Sequence, residues 1–109
     1  MAARQRVYSP HTREAVALLG RLVRTGRIER RITASDVSER AGITRVTLRR
    51  IENGDPGTDI GLYFEAATIV GVPLFSASPA ELRRANREAV DRLTLLPRHA
   101  HSPRVDDDF

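Results

Sequence analysis

Apolar residues recur along this chain at intervals of three and four, and nowhere do they alternate every second residue over a strand's length. A helix turns once per ~3.6 residues and a strand repeats every two, so the spacing commits the chain to helices. The expected fold is all-α. The chain has 109 residues, which predicts one domain with a core just large enough to fold unaided, and excludes two.

Start and stop signals divide this pattern into five helices. Ser9 followed by Pro10 pairs a capping hydroxyl with a ring that suits the first helical turn. The first helix then carries Ala15, Val16, Leu19, Leu22 and Val23 on one face, and is expected to end near Thr25 and Gly26. Thr33 with Asp36 three residues on reads as a capping box with the shorter acid, opening a helix through Val37 and Ala41 that Gly42 stops. A third helix from Arg45 turns Leu48 and Ile51 inward before Gly54-Asp55-Pro56-Gly57 breaks the chain. Asp59 is expected to cap a fourth, with Leu62, Ala66, Ile69 and Val70 inward as far as Gly71. Ser78-Pro79-Ala80-Glu81 starts a fifth, whose apolar side is Leu82, Ala85, Ala89, Val90, Leu93 and Leu96, and Pro97 ends it. Arg83, Arg84, Arg87, Glu88 and Asp91 fall outside that stripe. The predicted organisation is a flexible arm over 1–9, a domain over 10–76, a C-terminal helix over 78–96 and a disordered tail over 97–109.

Charge narrows the function. All 18 basic residues are arginine, and the net +4 conceals a division. Residues 1–54 carry 12 arginines and 5 acids, a balance of +7, whereas residues 55–109 carry 6 arginines and 9 acids, a balance of −3. A basic half favours an anionic polymer, with nucleic acid the commonest, although codon bias alone also produces arginine without lysine. The absence of cysteine excludes disulfides, thiolate zinc sites and a cysteine nucleophile. Nor is an enzyme expected: there is no glycine-rich phosphate loop, no paired carboxylates and no Ser/His/Asp set, and no cofactor is implied. His11, His99 and His101 lack metal-ligand spacing. The longest uncharged run, Ala66 to Ala80, holds two prolines and falls short of the ~20 apolar residues of a membrane span. Residues 1–9 lack the apolar middle of a signal peptide, so a soluble, cytoplasmic protein is expected.

The segment Ile32 to Gly54, ITASDVSERAGITRVTLRRIENG, reads as a helix, a tight glycine turn and a second helix. A small residue is required at Ser38, where the two helices cross closely, and Gly42 takes a turn conformation that a Cβ would oppose. Leu48 and Ile51 lock the second helix down, leaving Thr44, Arg45, Thr47, Arg49 and Arg50 as an outer, cationic face. Such a face fits a major groove.

Residues from about Leu19 to Val72 resemble the Xre (Cro/CI) family of helix-turn-helix DNA-binding domains. The resemblance rests on Val37, Ser38, Ala41, Gly42, Leu48, Ile51, Glu52 and Gly54, completed by Leu62, Ala66 and Val70-Gly71-Val72. It implies an all-α, five-helix lambda-repressor-like domain with its helix-turn-helix at 33–53 and a C-terminal extra helix and tail. Thr44, Arg45, Val46 and Arg50 fall where the family meets base edges, and Arg45 and Arg50 could each take a guanine bidentately. Val46 either touches a thymine methyl or is simply exposed. Thr47 and Arg49 fall where phosphate contacts are common, and Arg27 matches an arginine that pairs with the position of Glu52 as a structural ion pair. Two positions depart from the family pattern: Ala34, where glutamine is usual and helps hold phosphate, and Ser38, where alanine is usual. Arg4 and Arg6 are either a basic arm along the DNA or a plain terminus.

A single recognition helix reads few base pairs, so a homodimer on two half-sites about 34 Å apart is expected, with double-stranded operator DNA as partner. The fifth helix either makes the dimer or partner contact or completes the monomer's own core. LGRLVRTGRIERRITASD at 19–36 and GDPG at 54–57 further resemble the small Xre-type proteins encoded beside Hip-type kinase toxins. This implies an antitoxin that binds a kinase-like toxin and represses the shared operon at the nucleoid. A stand-alone repressor of the phage Cro kind fits the same features, as does a protein-interaction module using the basic helix face.

Overall fold

The computed structural model describes residues 6–98, and among them every regular element is helical. The helices are α1 (Pro10–Glu29), α2 (Ala34–Ala41), α3 (Arg45–Glu52), α4 (Ile60–Ile69) and α5 (Pro79–Leu95), with a short 3-10 turn at Leu74–Ser76. The chain divides into two compact units, the first ending at Leu74 and the second beginning at Phe75. Arg4, His99, His101 and most of the 97–109 tail lie outside the described residues.

Hydroxyl side chains start four of these helices. Ser9, Thr33, Thr44 and Ser78 each accept a hydrogen bond from the backbone N–H three residues on, at 3.0 to 3.3 Å, satisfying a donor that the helix itself cannot. Ser78 and Glu81 complete a reciprocal box, since the Glu81 carboxylate accepts from the Ser78 N–H at 2.8 Å. Two expectations need correction. Asp36 is one methylene shorter than glutamate and does not close the box with Thr33; its carboxylate faces Arg40 instead, at 3.8 Å. Asp59 precedes α4 without a side-chain cap, because the Leu62 N–H that such a cap would take already bonds the Asp59 carbonyl at 3.1 Å.

One motif ends α1 to α4. In each, a left-handed residue sends its N–H back to a carbonyl three residues earlier, while the next N–H reaches five residues back. The left-handed residue is Gly42 after α2, Gly54 after α3 and Gly71 after α4. After α1 it is Arg31, with φ 57°. This explains why α1 outruns the expected stop at Gly26: Gly26 is not a terminator but a point of close packing, where a Cβ would stand 3.0 Å from the Val70 carbonyl oxygen.

The core of the first unit is Val23, Val37, Leu48, Ile51, Tyr63, Ala66, Ala67 and Val70, ringed by half-buried residues from Val16 to Leu74. It lies where α1 and α2 each pack against both α3 and α4. On α1, Val23 is buried and Val16 and Leu19 pack on the core as expected, but Leu22 is 42% exposed and Ala15 is exposed, and the other buried positions are Gly20 and Gly26. The expected α4 face also shifts, since Tyr63 and Ala67 are buried while Leu62 and Ile69 are only half-buried.

Tyr63 owes its burial to a partner. Its phenol donates to the Asp55 carbonyl at 2.7 Å, tying α4 to the turn that follows α3. Burial, reinforced by the nearby Asp55 charge, pushes the phenol's pKa up to about 12. A fold that prefers the neutral phenol loses that preference as the proton leaves. Its contribution is therefore complete below pH ~10 and disappears as the pH rises through about 12. Tyr63→Phe is expected to cost about 1 kcal/mol at neutral pH and to remove this alkaline loss. Urea unfolding at pH 8 and pH 11 checks both points.

Candidate nucleic-acid interface

α2, the turn Gly42-Ile43-Thr44 and α3 present one continuous surface, and packing decides which residues of α3 reach solvent. At about 100° per residue, the buried side chains Leu48, Ile51 and Glu52 define the inner side, and Val46, Arg49 and Arg50 lie opposite. Arg45 flanks that outer side on the edge of Arg49, and Thr47 flanks it on the other. Val46 is 51% exposed; Thr44, Arg45, Arg49 and Arg50 are exposed, and Thr47 is half-buried. The six residues expected to meet DNA thus share one surface. Thr44 carries a second duty that its position did not advertise: its Oγ1 caps α3 by accepting from the Thr47 N–H, and its hydroxyl donates to the Thr47 Oγ1 at 3.0 Å. The T-x-x-T spacing was the available signal.

α3 shares with α1 and α4 the lack of an acid in its first turn, and differs from them in opening directly on a cation. α2 and α5 place Asp36 and Glu81 in their first turns, where the helix dipole favours a negative charge. α3 has no acid there and begins instead with Arg45, a cation at the positive end of the dipole. That placement costs a few tenths of a kcal/mol in the free protein and becomes favourable once an external anion arrives. Among the described residues the ion pairs are Arg27–Glu52 and Arg40–Asp36, so Arg45, Arg49 and Arg50 remain available to such an anion.

Behind this surface, a buried clamp holds α3 in place. Arg27, in the last turn of α1, donates from Nε to Glu52 Oε2 at 2.6 Å and from Nη2 to Oε1 at 3.1 Å. Its Nη1 donates to the Ile32 carbonyl at 3.3 Å, just before α2. One guanidinium therefore joins the end of α1, the approach to α2 and the end of α3. The bond to Glu52 raises the Arg27 pKa above its ordinary value against the opposing effect of burial. Ser38 is buried with its hydroxyl donating to the Ala34 carbonyl at 2.8 Å, which satisfies the oxygen that alanine would lack. Ala34 is half-buried against the core and has no polar atom with which to hold phosphate.

A family model described as a helix-turn-helix domain matches residues 18–74, just over half of the chain. The chain belongs to this helix-turn-helix family. The match spans all of α2, α3 and α4 and α1 from Leu18 onward, so the helix-turn-helix unit coincides with the first compact unit apart from its leading segment. No curated protein and no solved structure matches the chain. A helix-turn-helix domain carries DNA binding. Among the described residues, no helix is long and apolar enough to cross a membrane, and no group of three or more potential ligands gathers to hold a metal. Arg6 lies with its guanidinium 5.4 Å from the centre of the Tyr8 ring.

Proposed function

We propose that this helix-turn-helix protein is a sequence-specific transcriptional repressor that binds its operator as a homodimer. It is further the antitoxin of a type II toxin–antitoxin module, binding a Hip-type kinase toxin and repressing the shared operon in the cytoplasm, at the nucleoid. The observation that carries the DNA reading is the cationic, acid-free N-terminus of α3, with Arg49 and Arg50 exposed beyond it. Arg45 and Arg50 take guanine edges, Val46 meets a thymine methyl, and Thr44 reads the neighbouring base edge. Thr47 and Arg49 hold phosphate and set register. The antitoxin reading rests on the likeness of residues 19–36 and 54–57 to the small partners of Hip-type kinases.

The test is titration of the full chain with duplex DNA from upstream of its own gene, across a salt series. Affinity should fall steeply with salt, and Arg49→Ala should reduce the logarithmic slope by about 1 without changing sequence preference. Arg50→Ala should cost about 1 to 3 kcal/mol on the operator and far less on random duplex. Equal binding of the native protein to both duplexes would sink the repressor reading. For the antitoxin, the measurement is co-purification with the kinase-like product of the adjacent reading frame; an adjacent gene of another kind removes that part alone.

A further inference from the structure

α5 carries most of its charges in an order that its own helix does not favour. Arg83, Arg84 and Arg87 come first and Glu88 and Asp91 follow, whereas a helix dipole favours acids near the start and cations near the end. Only Glu81 and Arg92 stand where the dipole suits them, and Glu81 is committed to the cap, where its carboxylate accepts from the Ser78 N–H at 2.8 Å. Glu88 lies four residues after Arg84, and Asp91 four residues after Arg87. An acid that follows its arginine by four is the weaker order for a pair on a helix. Neither pair forms, since among the described residues the ion pairs are those of Arg27 and Arg40.

The three arginines are all exposed, and with Asn86 they line a shallow hollow on the polar side of the helix, into which Glu88 and Asp91 also reach. At about 100° per residue they share an arc of about 100°, with Arg87 between the other two, and about 6 Å of helix axis. Three unpaired cations this close repel one another, a cost that an external anion reverses. A row of anions suits them better than a single one, because the guanidiniums are spread along the axis. One strand of a duplex presents a phosphate about every 3.4 Å of its own axis, so this length of α5 faces about two. Guanidinium forks match phosphate oxygens in pairs.

The rest of the chain brings such a row within reach. The first unit belongs to a helix-turn-helix family, and only the short segment between Leu74 and Pro79 joins it to α5. Once the first unit holds a duplex, so short a connection keeps phosphates at high effective concentration around α5. We propose that Arg83, Arg84 and Arg87 form a second nucleic-acid contact, which grips the phosphate backbone of the bound duplex and reads no bases. This contact rests on the DNA-binding reading above, and it adds affinity without sequence preference.

The test uses the full chain with operator and random duplexes across a salt series. Replacing the three together, Arg83→Gln with Arg84→Gln and Arg87→Gln, should weaken both complexes at low salt and lower the logarithmic salt slope by about 2, with operator preference unchanged. Glutamine and arginine have similar helix propensity, so helix content by circular dichroism should be retained. Asp91→Asn, which takes an acid out of the same hollow, should tighten both complexes several-fold. Arg21→Gln with Arg24→Gln, both exposed on α1, controls for net charge and should change the slope by well under 1. A slope untouched by the triple substitution, or moved no more per arginine than by the α1 pair, would overturn the second contact and leave these arginines to an acidic protein. A loss confined to the operator would overturn it in favour of base reading. A native chain that binds neither duplex at any salt would overturn this contact and the DNA reading together.

Discussion

Arg27→Ala is expected to destabilise the helix-turn-helix unit by about 3 to 5 kcal/mol, a large share of the stability of a domain this size. The reason is an asymmetry in burial. The Glu52 side chain is 6% exposed and that of Arg27 is 16% exposed, so removing the arginine leaves a largely buried carboxylate without its partner. It also removes the bond to the Ile32 carbonyl. Glu52→Ala is the milder change, about 2 kcal/mol, because the guanidinium sits on a long stem that can turn towards solvent. Arg27→Lys should fall close to Arg27→Ala, since an ammonium cannot reproduce two parallel bonds to one carboxylate. Combining Arg27→Met with Glu52→Leu is a different experiment: with no charge left to bury, much of the stability should return. Thermal unfolding ranks the four variants, and about 4 to 8 °C per kcal/mol makes the differences easy to read. If Arg27→Ala and Glu52→Ala each shifted the midpoint by only a degree or two, the clamp would be no more than a surface pair.

Under the proposed function, the same clamp matters for DNA binding without touching DNA. Glu52 is the last residue of α3, where a negative charge opposes the helix dipole. Arg27 neutralises it from the end of α1, where a cation is favourable. The orientation of the exposed side of α3, with Arg45, Val46 and Arg50, is thereby set by a residue on another helix. Arg27→Ala should weaken operator binding at temperatures where the unit is still folded.

Gly20→Ala is expected to be the most damaging small substitution, costing about 2 to 3 kcal/mol despite the better helix propensity of alanine. Propensity alone favours alanine by about 1 kcal/mol in a helix interior. At this position, however, α1 crosses the end of α3 so closely that a Cβ would be driven into the Ile51 carbonyl oxygen and stand 3.0 Å from the Gly54 backbone nitrogen. The obstructing atoms are backbone, so relief requires the two helices to separate, and overpacking of that kind typically costs about 1 to 3 kcal/mol, sometimes more. Gly54 shows the reverse side of the contact, since a Cβ there would lie 2.6 Å from the Ala17 Cα. Gly61→Ala provides the control. It lies on exposed α4 surface with nothing within 4 Å of the added carbon, so it should be neutral or stabilise by a few tenths of a kcal/mol. Opposite signs for the two substitutions in urea unfolding would establish that packing, not propensity, governs α1; a stabilising Gly20→Ala would refute the close crossing.

Much of the local chemistry was legible from neighbours in sequence, although the Thr33–Asp36 box and the Asp59 cap did not form. Capping hydroxyls at Ser9, Thr33 and Ser78, the glycine turn at Gly42 and the inward pair Leu48 and Ile51 all follow from residues three or four apart. The other expectations that failed turned on packing between elements. Gly26 looked like a stop and is a packing site against Val70, while the stop itself is Arg31, whose left-handed conformation no side-chain preference announces. Leu22 looked like core, yet glycines occupy the crossing side of α1, with the Ile51 and Gly54 backbone opposite Gly20 and both backbone and side-chain atoms of Val70 opposite Gly26. Tyr63 went unnoticed because its claim to the interior is a bond to a carbonyl eight residues away.

For the candidate DNA-binding surface the division is similar. The amino-acid order alone determined that the chain is helical, that residues 33–53 form two short helices around a glycine, and that arginines crowd the second, because these follow from periodicity, caps and composition. Only the tertiary structure decided which side of that helix faces outward and what holds it there. Those depend on where α1 crosses α3 and on a charge pair spanning 25 residues, a separation over which chain neighbours exert no influence and packing exerts all of it.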